Sequence, residues 1–205
     1  SMCRYYSRSV LEDARPNNYP KTREVTRFTS VIGTIQNAPA TKISEERKRE
    51  ILAEARICRG LQMYNLLHVY GPVPLIVDPE KVENSEALNN AVRPSLDEIS
   101  QWIYDDFEFA AQYAPENQSE KGRFSRDYAK FMLMKHCLNE GGHMDGWYGK
   151  ALEMYRELNT GKYRLFTSGI NPYRKCSARR MTSTAKSSLQ SAVTRHRQAT
   201  SRKEV

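Results

Sequence analysis

The stretch Ala53 to Ile76, AEARICRGLQMYNLLHVYGPVPLI, constrains this chain more than any other. Apolar residues recur at helical spacing up to Tyr70, and the pattern stops at Gly71-Pro72. Proline fixes φ and removes a backbone donor, so Val73-Pro74-Leu75-Ile76 must run extended after the helix. Ile51, Ala55, Cys58, Leu61, Asn65 and His68 fall on one helical face, and Ile57, Tyr64 and Leu67 cover a neighbouring one. Apolar residues almost all round the end of the helix place its last turns between other helices. A mid-helix glycine costs about 1 kcal/mol relative to alanine, so Gly60 predicts close approach of another helix or a bulky side chain.

Helical patterns separated by turn signals fill the rest of the chain to about Leu158, and strands are hard to find. Lys21 to Gln36 carries Val25, Phe28, Ile32 and Ile35 on one stripe and ends before Asn37-Ala38-Pro39. Ser44 is the expected N-cap of the helix that runs into the central stretch, with Glu45 and Glu46 in its first turn. Ser95 and Glu98 form a capping box for a helix presenting Leu96, Ile99, Ile103, Phe107 and Ala110 and stopping before Pro115. A fourth helix, about Arg126 to Asn139, carries Ala129, Leu133 and Leu138 and stops at Gly141-Gly142. A fifth, Trp147 to Leu158, turns Ala151, Leu152 and Tyr155 inward and ends at Gly161. The fold expected is all-α, a stack of helical hairpins. Small residues at packing points followed by an aromatic, such as Ala129, Ala151 and Tyr155, make these hairpins look like degraded tetratricopeptide repeats.

The central stretch also carries a resemblance. Glu54-Ala55, then Arg59-Gly60-Leu61, then Tyr70-Gly71-Pro72-Val73-Pro74-Leu75-Ile76 resembles the hallmark segment of the SusD/RagB family, surface nutrient-binding lipoproteins of the Bacteroidetes outer membrane. Ile103-Tyr104-Asp105-Asp106-Phe107-Glu108-Phe109-Ala110 is similar to a second family pattern, Ile-x-x-Asp-Leu-x-x-Ala. The resemblance covers roughly residues 21–166 and is strongest over 44–166. It implies a tetratricopeptide-like helical domain over residues 1–166. It further implies capture of a glycan or oligosaccharide at the cell surface and delivery to a SusC-like TonB-dependent transporter. A rival reading is a helical-repeat scaffold that binds a protein partner and no carbohydrate.

Composition separates the body from the tail. Of 32 Lys/Arg and 24 Asp/Glu, residues 171–205 hold nine and one, leaving 23 of each in residues 1–170. The whole excess of +8 therefore lies in the tail, and it does not mark the body as a specific nucleic-acid binder. Residues 167–205 are Ser/Thr/Arg-rich with no periodic face, and are expected to be disordered or non-native, a truncated or frameshifted end. Ser1-Met2-Cys3 and the polar residues after it do not read as a signal peptide. Since the resemblance implies an exported protein, numbering is expected to start after a removed segment or inside a gene fragment. Cys3 invites a lipid-anchor reading that the polar flanks do not support. Cys58 and Cys137 read as small core residues.

No catalytic residue and no cofactor motif is found, since nucleophile-elbow, P-loop and dinucleotide fingerprints are absent. His136, Cys137 and His143, near Asp145, hint at a metal. Adjacent helical residues point about 100° apart, so no metal site is expected from them. His68 reads as a packed histidine. Asp105-Asp106 and Glu45-Glu46 read as solvated acids on helix surfaces. Sugar binding needs aromatic faces beside amides and charges. The exposed aromatics expected to serve are Trp147 and Tyr148, after Gly146, and Tyr19, beside Asn17 and Asn18, with Trp102 packed along its helix.

Overall fold

The computed structural model describes residues 20–163, apart from 85, 87–89, 119 and 121, together with Thr167. Within them lie α1 (Lys21–Gln36), α2 (Glu45–Tyr70), α3 (Leu96–Tyr113), α4 (Arg126–Glu140) and α5 (Trp147–Leu158). A 3-10 turn, Pro79–Lys81, stands between α2 and α3, and no strand occurs among the described residues. Each helix packs chiefly on its neighbour in sequence, so the all-α stack of hairpins expected from the sequence is the fold observed.

Local chemistry sets most of the boundaries. The Ser44 hydroxyl accepts the Arg47 N–H, and Ser95 with Glu98 makes the complete reciprocal capping box. Ser125 caps α4 by accepting the Tyr128 N–H. At the other end of α2, Gly71 adopts φ 72° and gives its N–H to the Leu67 carbonyl. That left-handed region is open to glycine at no steric cost. The chain then runs without regular structure, burying Val73, Leu75 and Ile76.

Burial corrects the faces read from periodicity. The buried residues of α2 are Leu52, Ala53, Ala55, Ile57, Arg59, Gly60, Met63, Tyr64, Leu66 and Leu67. Of the row read on one face, Ala55 is buried, Ile51, Cys58 and Leu61 are half-buried and Asn65 and His68 are exposed, because α1 and α3 cover two other flanks of α2. The last turn, His68-Val69-Tyr70, is exposed. α1 has 16 residues against 26 in α2, roughly 24 Å against 39 Å of rise, so α1 cannot reach that end. In α4 Leu138 is exposed, and in α5 Leu152 and Tyr155 are about half exposed where inward positions were expected. The inward face of α5 is Trp147, Ala151 and Met154, since α5 has a helix partner on one side.

One guanidinium ties the first half of the stack together. Arg59 is buried and makes two 2.8 Å hydrogen bonds, from Nε and Nη2, to the two carboxylate oxygens of Asp106 on α3. Its Nη1 donates to the Val77 carbonyl at 3.0 Å and to the Thr29 hydroxyl of α1 at 3.2 Å. Thr29 in turn reaches the Val25 and Ile76 carbonyls. Asp106, read from sequence as a solvated surface acid, is 1% exposed. Burial raises its pKa, and the hydrogen bonds and charge of Arg59, with the charge of Arg56, oppose that rise. Gly60, the next residue, permits this crossing: a Cβ there would stand 2.9 Å from the Phe107 ring. Glu54 makes a third tie, accepting from Gln118 and from Arg123 at 2.9 and 2.6 Å in the segment before α4.

Candidate functional site

The three aromatic candidates part company in the structure. Gly146, at φ 80°, is the N-cap of α5, and the next two side chains differ sharply in burial. Trp147 is only 8% exposed, stacked on Tyr104 of α3 at a centroid distance of 4.8 Å, so it is a core residue and not the open ring expected. Tyr148 is 56% exposed. Its ring lies over Gly141, where a Cβ would meet ring carbons at 2.7 Å, so the glycine seats an aromatic face that looks outward. Tyr19 lies outside the described residues.

A groove that sequence reasoning missed lies between the extended segment and α3. Leu75, Ile76, Val77, Asp78, Lys81, Asn90, Ala91, Val92 and Trp102 line this open groove of about 340 Å³. Asp78 and Lys81 pair at 3.5 Å at its edge. An indole beside an amide and an ion pair offers both stacking and hydrogen bonding to a hydroxyl-rich ligand. Trp102 packs partly on the core, as expected, and its remaining surface lines the groove. Only the chain reversal after Gly71 brings these residues together, so no local pattern announces it.

A polar cluster joins α2, α3 and α4. His136 is fully buried, and its Nε2 lies 2.9 Å from the Ser100 carbonyl. A carbonyl can only accept, so Nε2 carries the proton and Nδ1 holds the lone pair. That Nδ1 is buried without a hydrogen-bond partner. Burial pushes the His136 imidazole down to about 4, which keeps it neutral near pH 7. One turn on, Glu140 is buried with Oε2 at 2.9 Å from His143 Nε2, and His143 Nδ1 meets Asp97 at 2.9 Å. The hydrogen bond to Glu140 raises the His143 pKa, with a further contribution from Asp97. The other oxygen, Glu140 Oε1, lies 3.8 Å from His68 Nε2. His68, read from sequence as a packed histidine, lies edge-on to Tyr64 with centroids 4.2 Å apart but stays about one-third exposed, and partial burial lowers its pKa. The grouping read from sequence thus changes membership. Cys137 and Asp145 drop out, and His68, Glu140 and Asp97 join through contacts spanning as many as 72 positions, beyond any spacing rule.

These features can be set beside known proteins. A SusD-like family model, described as starch-binding associating with outer membrane, matches residues 4–135. The chain belongs to the SusD-like family. A SusD-like protein of Bacteroides ovatus is 34% identical over 124 residues, covering 60% of this chain and 22% of that relative. A structure solved with a xylogluco-oligosaccharide is 32% identical, with a TM-score of 0.53 over 66% of this chain and 27% of the other. A laminarin-binding SusD-like protein shares the fold at a TM-score of 0.59 and 23% identity, over 70% of this chain and 29% of its own. The chain therefore spans about a quarter of the length of the relatives it matches. The SusD-like description is one of carbohydrate binding and not of catalysis.

Proposed function

We propose that this chain supplies the helical frame of an outer-membrane, surface-exposed lipoprotein that captures an oligosaccharide and passes it to a SusC-like TonB-dependent transporter. The observation that carries the reading is the SusD-like match over residues 4–135. The relative solved with a xylogluco-oligosaccharide supports an oligosaccharide of that kind as the first ligand to test. On this chain the surfaces offered to sugar are the Tyr148 ring and the Trp102 groove. Both present an aromatic face, and the groove adds Asn90, Asp78 and Lys81 as polar neighbours. Stacking against a pyranose face is the interaction such rings supply.

The test is calorimetric titration of the chain with xyloglucan and laminarin oligosaccharides, repeated with Tyr148→Ala and with Trp102→Ala. Saturable heat with one of these sugars, weakened in one variant while the fold is retained, is the expected result. A chain that captures a TonB-dependent transporter from outer-membrane extract and gives no heat with any glucan would replace sugar capture with the scaffold reading.

A further inference from the structure

We propose that His68, His136 and Glu140 form a binding site for one divalent transition-metal ion of the zinc class. One ligand atom from each residue lies within 4.8 Å of the others. Glu140 Oε1 lies 3.8 Å from His68 Nε2. Two donors on a tetrahedral zinc at bond lengths near 2.1 Å stand ~3.4 Å apart, so side-chain adjustment alone closes the set.

The donor chemistry selects the ion. Two imidazoles and one carboxylate suit zinc and its first-row neighbours, whereas calcium and magnesium take oxygen ligands. The tautomer of His136 is already the one a metal requires. The Nε2 proton is committed to the Ser100 carbonyl, and Nδ1 is left with a lone pair that no protein group uses. Ligating histidines are held in this way, with the second nitrogen donating to a carbonyl or carboxylate. Glu140 is held likewise, one oxygen engaged by His143, which Asp97 anchors, and the other turned toward His68. A simple ion pair between Glu140 and His143 accounts for the carboxylate, but it leaves the buried His136 Nδ1 without a role. His68 is about one-third exposed, which gives an ion a path from solvent. A bound ion would clip the free end of α2, beyond the reach of α1, to α4.

The experiment titrates the full chain, freed of metal by chelator, with Zn2+ by calorimetry and with Co2+ by visible absorbance. One Zn2+ per chain is expected, with a Co2+ spectrum of tetrahedral nitrogen and oxygen ligation. His68→Ala and Glu140→Gln should each weaken binding by about tenfold or more. Circular dichroism melts of both variants establish that they remain folded, and His68→Ala alters a part-exposed side chain. Absence of Zn2+ binding, undiminished binding in both folded variants, or sulfur-to-cobalt charge transfer pointing to cysteine would each overturn the proposal.

Discussion

Arg59 and Asp106 illustrate what a residue can hide from sequence reading. Asp105 and Asp106 are adjacent acids on a helix, pointing about 100° apart, so one faces water and the other faces in. The partner of the inward one lies 47 positions away, and no one-dimensional pattern marks it. The Arg-Gly pair was legible as a family hallmark, and the closeness predicted at Gly60 is present, but its reason, the Arg59 crossing to α3, was not. Replacing Asp106 with Ala leaves a buried guanidinium without its counter-charge, and breaking such a pair costs about 3–5 kcal/mol. Urea denaturation of Asp106→Ala should show that loss, and a change under about 1 kcal/mol would mean the pair is solvated after all. Of the two cysteines read as core residues, Cys137 is buried and Cys58 is half-buried. Burial, reinforced for Cys58 by Glu54, pushes the Cys58 thiol up to about 11, and burial pushes the Cys137 thiol up to about 12. The thiolate is the reactive form. Alkylation near pH 8 followed by peptide mapping should therefore leave Cys58 and Cys137 unmodified in the native chain and label both in urea.

At the scale of the element, boundaries were readable and faces were not. Caps are local: Ser44, the Ser95–Glu98 box and Gly71 each act within four residues, so sequence places them. A face is defined by what lies opposite, and two flanking helices on α2 or one on α5 change which positions are inside. The α5 correction is directly measurable. Met154→Ala should cost about 2–5 kcal/mol as a buried truncation, while Leu152→Lys should stay within about 0.5 kcal/mol. A reversed order in thermal melts would restore the inward positions first expected for Leu152 and Tyr155. The polar cluster between α2 and α4 was missed for the same reason, since its members meet across elements and only His136, Glu140 and His143 share a stretch of chain.

For the whole molecule, the order of helices along the chain is their order in the stack, which is why an all-α hairpin architecture was legible without any structure. The domain boundary near residue 166 is an expectation that limited proteolysis can check. A protected core ending near residue 166 is the predicted outcome, and protection through Arg195 would show that the basic tail is folded. A stack whose members pack chiefly on their neighbours approaches a one-dimensional array, and such arrays fray from their ends. Arg59 alters that for the first three helices and the extended segment, because one guanidinium is shared by Thr29, Val77 and Asp106. Departure of α3 strands a buried charge, and departure of α1 or of the extended segment takes one acceptor from the buried Nη1. The chain should thus open in two steps under native-state hydrogen exchange, α5 first at low cost and α1 with α3 together at the global free energy. Exchange of α1 amides ahead of those in α3 would show that the shared arginine does not make them one cooperative unit.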